Sequence, residues 1–107
     1  MPMYLIRFSY STESVKALVE NPGDRAKAVA EAVESLGAKM AGFWYSFGDF
    51  DGVLLMDAPD NTTAASLAML VGGSGALSKL ETTVLIDMDQ AQEAMRKAAG
   101  ASYRPPG

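Results

Sequence analysis

The stretch Met40–Asp60, MAGFWYSFGDFDGVLLMDAPD, constrains the fold of this chain more than any other. Two apolar arms flank a polar turn, Gly48-Asp49-Phe50-Asp51-Gly52, which is the pattern of a β-hairpin. The first arm, Met40–Phe47, is rich in aromatics. The second, Val53–Ala58, is aliphatic and stops at Pro59, which has no N–H to give to a ladder. In both arms the alternating positions are apolar together: Trp44 alternates with Phe43 and Tyr45, and Leu54 and Met56 alternate with Val53 and Leu55. A sheet wetted on one side would alternate apolar with polar residues instead. The hairpin therefore belongs to a sheet that is covered on both faces.

The rest of the chain can be laid around it. Met3–Tyr10 reads as a strand with Tyr4, Ile6 and Phe8 on one face and Met3, Leu5, Arg7 and Ser9 on the other. Ser11-Thr12-Glu13 supplies N-cap chemistry for a helix carrying Val15, Leu18 and Val19. Asn21-Pro22-Gly23-Asp24 interrupts and restarts that helix; Asn21 is expected to cap, Pro22 to take the first helical position and Asp24 to favour the dipole. From Arg25 onward, Ala26, Val29, Ala30, Val33 and Leu36 make an inward stripe, Lys27 and Glu31 an i,i+4 pair, and Gly37 the stop. After the hairpin, Asp60-Asn61-Thr62 caps a short helix, Ala64–Val71, which Gly72-Gly73-Ser74-Gly75 closes. That glycine run follows a helix and lacks a Lys-Ser/Thr pair, so it is a connector and no phosphate loop. Leu77–Asp87 carries the fourth strand, dense in β-branched residues from Thr82 to Ile86. Asp87 or Asp89 caps a last helix, Gln90–Ala99, with Ala91, Ala94, Met95 and Ala98 expected inward. Residues 1–99 thus read as one domain and 100–107 as a flexible tail, kept from helix by Pro105 and Pro106.

The order β-α-β-β-α-β with a terminal helix is the ferredoxin-like α+β arrangement, in which helices cover one face of a four-stranded antiparallel sheet. No element is left over to cover the second face. A second copy of the same sheet, in a symmetric dimer, is the simplest cover.

Composition removes whole classes of chemistry. The 107 residues include no cysteine and no histidine, so thiolate sites, disulfides and imidazole-dependent triads are excluded. The nine Lys and Arg residues are scattered through a chain of net charge −4, which argues against nucleic acid as a partner. No apolar run approaches the roughly 18 residues of a membrane span, and Met1-Pro2-Met3-Tyr4 does not open a signal peptide. The expectation is a cytoplasmic protein without metal site or cofactor.

Several of these segments resemble the GYD-domain proteins, small bacterial proteins of the dimeric α/β-barrel group. Gly48-Asp49-Phe50-Asp51 resembles their Gly-Tyr-Asp turn, with Phe50 where the family has Tyr. Met56-Asp57-Ala58-Pro59-Asp60 matches the acidic strand end and Ala-Pro-Asp that follow. Asn21-Pro22-Gly23-Asp24-Arg25 is similar to the family's Ser-Pro-x-x-Arg helix break, and Lys79-Leu80-Glu81-Thr82 to its Arg-Thr-Glu-Thr strand start. The likeness runs from Met3 to about Ala99. It implies two ferredoxin-like sheets pairing as a dimeric α/β barrel, and it implies no activity.

Candidate site residues fall in four places. Arg7, a charge in mid-strand, must be paired or wet; on the second face it meets Asp57 or Glu81, or binds an anionic ligand. Trp44, Tyr45 and Phe47 either line a pocket for a flat apolar ligand or serve packing. Asp49 and Asp51 in the turn are a carboxylate pair, or simply residues that a tight turn needs. Arg25 opposes the dipole of its helix and calls for compensation by Asp24, a chain terminus or a ligand carboxylate. The first functional reading is a homo-oligomer that binds a small apolar or aromatic metabolite. The alternative, by analogy of fold, is a cofactor-independent monooxygenase or lactone isomerase, with Asp57, Glu81 or Tyr45 moving a proton and Arg7 steadying an enolate. A third is an assembly element without ligand.

Overall fold

The computed structural model describes residues 2–107. Its elements run β1 (Met3–Tyr10), α1 (Thr12–Glu20), α2 (Arg25–Ser35), β2 (Lys39–Tyr45), β3 (Gly52–Asp57), α3 (Asn61–Gly72), β4 (Leu77–Leu85) and α4 (Met88–Ala99). The four strands form one antiparallel sheet in the order β2-β3-β1-β4. This is the ferredoxin-like arrangement that the element order implied.

Alternation along the strands decides which face the helices cover. Tyr4, Ile6 and Phe8 of β1 and Leu54 and Met56 of β3 are buried, against Val33 of α2 and Ala64 and Leu67 of α3. Val33 and Met56 are 0% exposed, so this seam is the centre of the core. The stripe read from the sequence is the face α2 turns inward, with Val29 and Leu36 packed at its margins. Gly37 follows at φ +83°, a conformation that lets the chain reverse from α2 into β2 at no steric cost.

Local boundaries depart from the sequence reading in instructive ways. Asp24, and not Asn21, caps α2: its carboxylate accepts from the Ala26 amide at 3.1 Å. Pro22 lies outside that helix, and Asn21 instead ends α1, its amide donating to the Ala17 carbonyl. The helix after the hairpin starts earlier than expected, at Asn61, because Asp60 accepts from the Thr63 amide and hydroxyl. β4 stops at Leu85, and Asp87 with Gln90 forms a reciprocal capping box that starts α4 at Met88.

The last helix corrects the expectation of an inward face. None of its residues is buried, Met88 and Met95 being 72% and 67% exposed. The radius of gyration is 17.2 Å, against about 13 Å for a compact chain of this length. α4 and the tail behind it stand off the body.

Candidate functional site

The register places an aromatic cluster on the helix side at the end of the sheet. Phe8 and Tyr45 lie on outer neighbours of β3, and the residue between them is Gly52. Lacking a side chain, Gly52 leaves room for rings from both sides to meet across β3; a Cβ there would lie 2.2 Å from Phe8 Cζ. Phe8 and Phe43 have centroids 5.6 Å apart, and Tyr10 and Tyr45 6.0 Å. Edge contacts of Phe8 with Tyr10 (5.3 Å) and of Phe43 with Tyr45 (5.7 Å) complete the ring of four.

Phe8, Tyr10 and Phe43 of this cluster wall a cavity of about 60 Å³ between the sheet and helices α2 and α3. Its floor is Ile6, Phe8 and Leu54, and its roof Val29, Leu67, Ala68 and Val71. Tyr10 and Arg25 contribute the only polar side chains among the lining residues. The hydroxyls of Tyr10 and Tyr45 are 3.1 Å apart. Burial, reinforced by that hydrogen bond, pushes the Tyr10 phenol well above its ordinary value, and the Arg25 charge works in the opposite direction. Tyr10 therefore stays a neutral donor across the physiological range. Tyr10 also borders a second, shallower groove outside the cavity, formed by α1 residues Val15, Leu18 and Val19 with Tyr45 and Phe47.

The sequence candidates do not converge on one site. Tyr45 faces the helices and joins the cluster, whereas Trp44 lies on the opposite face, its indole over Gly42. Phe47 is beyond the end of β2 and fully exposed. On the helix-free face, Arg7 and Glu81 are register partners, and the Arg7 Nη2 donates to Glu81 Oε1 at 2.6 Å. Phe50 folds back from the turn onto that pair, its ring 4.6 Å from Arg7 Cζ and 4.2 Å from Lys79 Nζ. Asp57 pairs with Met3 at the far end of β3, four residues beyond the partner of Arg7, or roughly 13 Å along the strand. Arg7 thus meets Glu81 and not Asp57.

Of the two turn acidic residues, Asp51 is tied in through its carboxylate and Asp49 only through its backbone carbonyl. Asp51 Oδ2 accepts from the Tyr10 amide at 2.9 Å, while its own amide donates to the Phe8 carbonyl at 2.8 Å. The Asp49 carbonyl accepts from the Ser9 hydroxyl at 3.2 Å. The hairpin turn is thereby clamped to the end of β1, which fixes Tyr10 at the cavity. Tyr10, Phe8 and Phe43 were outside the sequence candidates for the ligand site, while Arg25 was singled out only for its unfavourable place on the helix dipole. The alternation that puts Tyr10 on the face of Phe8, together with the gap at Gly52, was the available signal.

Among the described residues, no three His, Cys, Asp or Glu side chains gather closely enough to hold a metal ion. No helix among them is long and apolar enough to cross a membrane.

Of two similar solved structures, the first supports the fold alone. TTHA0845 from Thermus thermophilus aligns with a TM-score of 0.55 at 16% identity, over 81% of this chain and 95% of that one. An uncharacterized NIPSNAP domain protein from Burkholderia xenovorans aligns at 0.48 and 13% identity, over 81% of this chain and 94% of that one. No curated protein sequence matches. The profile of the GYD domain matches residues 4–95, which takes in all four strands and the clamped turn. The chain belongs to the GYD-domain family.

Proposed function

We propose that this protein binds a small apolar or aromatic metabolite in the cavity between sheet and helices, and does so as a homodimer joined through the helix-free sheet faces. The cavity carries the reading: its lining is apolar except for Tyr10 and Arg25, the composition of a ligand pocket with a few orienting polar groups. None of its lining residues is a carboxylate, histidine or cysteine, so binding is favoured over proton-transfer chemistry there.

Three features support the dimer. Leu5, Val53, Leu55 and Trp44 share a face on which no helix of the core packs. Arg7 Nε and Asp57 Oδ1 on the same face are buried without a hydrogen-bond partner among the described residues, and such atoms call for one. The apolar stripe of α4, with Met88, Ala91 and Met95, has no surface of its own chain to cover.

Native mass spectrometry of gently purified protein tests both parts in one spectrum. The expected result is a dimer, or a multiple of it, with extra small-molecule mass. Ala68→Leu, which fills the cavity roof, is expected to lose that mass and keep the dimer. A monomer overturns the paired faces, and retained mass unchanged in Ala68→Leu overturns the cavity as the binding site.

A further inference from the structure

We infer that the ligand of this cavity is a small carboxylic acid, its apolar part inside and its carboxylate held at the mouth by the Arg25 guanidinium and the Tyr10 hydroxyl. The inference rests on the reading of the cavity as a ligand site and adds the chemical class of the ligand.

Arg25 is the first residue of α2, where the helix dipole disfavours a cation. Its neighbour Asp24 does not compensate it by pairing: that carboxylate serves as the N-cap, and Arg25 has no ion-pair partner among the described residues. The chain thus holds a cation with no carboxylate partner among the described residues at the rim of an apolar cavity, its guanidinium beside the Tyr10 hydroxyl, with no acidic residue in the lining to repel an anion. Arg is well suited to a carboxylate, which it engages through two parallel N–H donors.

Tyr10 supplies the second contact. In the Tyr10–Tyr45 pair one hydroxyl donates to the other, which leaves one phenolic proton uncommitted. When Tyr45 is the internal donor, the Tyr10 proton is free to reach a carboxylate oxygen beside Arg25. Burial, the largest cause of its raised proton affinity, acts whichever way the pair is oriented and keeps Tyr10 protonated. The enclosed volume, about 60 Å³, is well below the roughly 150 Å³ of an apolar cavity that takes up benzene, so it buries a short alkyl chain or the edge of a ring, and excludes nucleotides and long acyl chains.

The test uses a panel of short alkyl and aryl carboxylates (butyrate to octanoate, benzoate, phenylacetate), each with its neutral primary amide. Binding is followed by calorimetry and by amide shifts of Ala68, Val71 and Leu80 in the full chain. The expected result is at least one carboxylate bound ten-fold or more tightly than its amide. Arg25→Gln is expected to abolish that preference, weakening carboxylate binding far more than amide binding, and Arg25→Lys to restore part of it. Carboxylate and amide binding equally well overturns the inference and leaves the apolar pocket standing. A preference that survives in Arg25→Gln overturns the assignment of the head group. Binding of no panel member overturns both the inference and the reading beneath it.

Discussion

Gly52→Ala isolates the device that lets the aromatic cluster form. The added Cβ would sit 2.2 Å from Phe8 Cζ, where ordinary contact begins at 3.4 Å. The ring must therefore retreat by more than an ångström. Phe8 is 6% exposed and held by Tyr10 on one side and Phe43 on the other, so the space open to its ring is the small cavity that it lines. Overpacking of this kind costs about 1–3 kcal/mol. Replacing glycine in a strand returns about 0.5–1 kcal/mol of backbone entropy, so the net loss is roughly 0–2.5 kcal/mol. Phe8→Leu removes the ring and with it the clash. In that background Gly52→Ala is expected to be neutral or slightly stabilising, giving a coupling of at least about 1 kcal/mol between the two sites. Urea denaturation of the four proteins, at one protein concentration, measures this through the midpoint at constant slope. Equal costs of Gly52→Ala in both backgrounds would refute the account of Gly52 as clearance for Phe8.

Other expectations follow from single contacts. Asp60 has its carboxyl held below the usual range by the Thr63 hydroxyl and amide, so its contribution to stability is present above the unfolded-state value and lost as pH falls through the folded one. The melting temperature should therefore drop more steeply on acidification below about pH 4 in the wild type than in Asp60→Asn. Tyr10 gains a phenolate only at a pH well above the ordinary value of about 10, so the 295 nm difference titration of wild type against Tyr10→Phe should show a late-titrating phenol; a midpoint near 10 would contradict its burial. Glu81→Gln breaks a pair whose side chains are 38% and 52% exposed, and in dilute protein should cost no more than about 1 kcal/mol by urea denaturation. A loss above about 2 kcal/mol there would mean that the pair is already desolvated.

The hairpin, the strand order and the inward stripe of α2 were legible because each is written as a local period: two in the strands and 3.6 in the helix. The apolar character of both sheet faces was equally visible in Trp44 beside Tyr45 and in Leu54 beside Leu55. The cavity was less so. Its cluster depends on register, which aligns Phe8, Gly52 and Tyr45 across three strands distant in sequence. Trp44 and Tyr45, neighbours in sequence, are separated by the sheet itself, so aromatic density alone misled. The clamp from Asp51 to the Tyr10 amide was hidden for the same reason: turn chemistry accounts for an Asp locally, while its actual partner is 41 residues away. The N-cap of α2 was misplaced because Asn21-Pro22 and Asp24 both offer capping chemistry, and only the path of the chain chooses between them.

The projecting α4 gives this small protein two separate opening equilibria. A helix of 12 residues is marginal on its own in water, even with a capping box and the Glu93–Arg96 pair. Its persistence depends on the surface against which Met88 and Met95 come to rest. Amide hydrogens of β1, locked between two neighbouring strands, exchange only when the whole domain unfolds. Those of residues 88–99 exchange whenever the arm lifts away, at a rate set by protein concentration if a second copy receives it. Under the dimer proposed above, exchange protection in α4 reports association and protection in β1 reports folding, within one chain and one experiment.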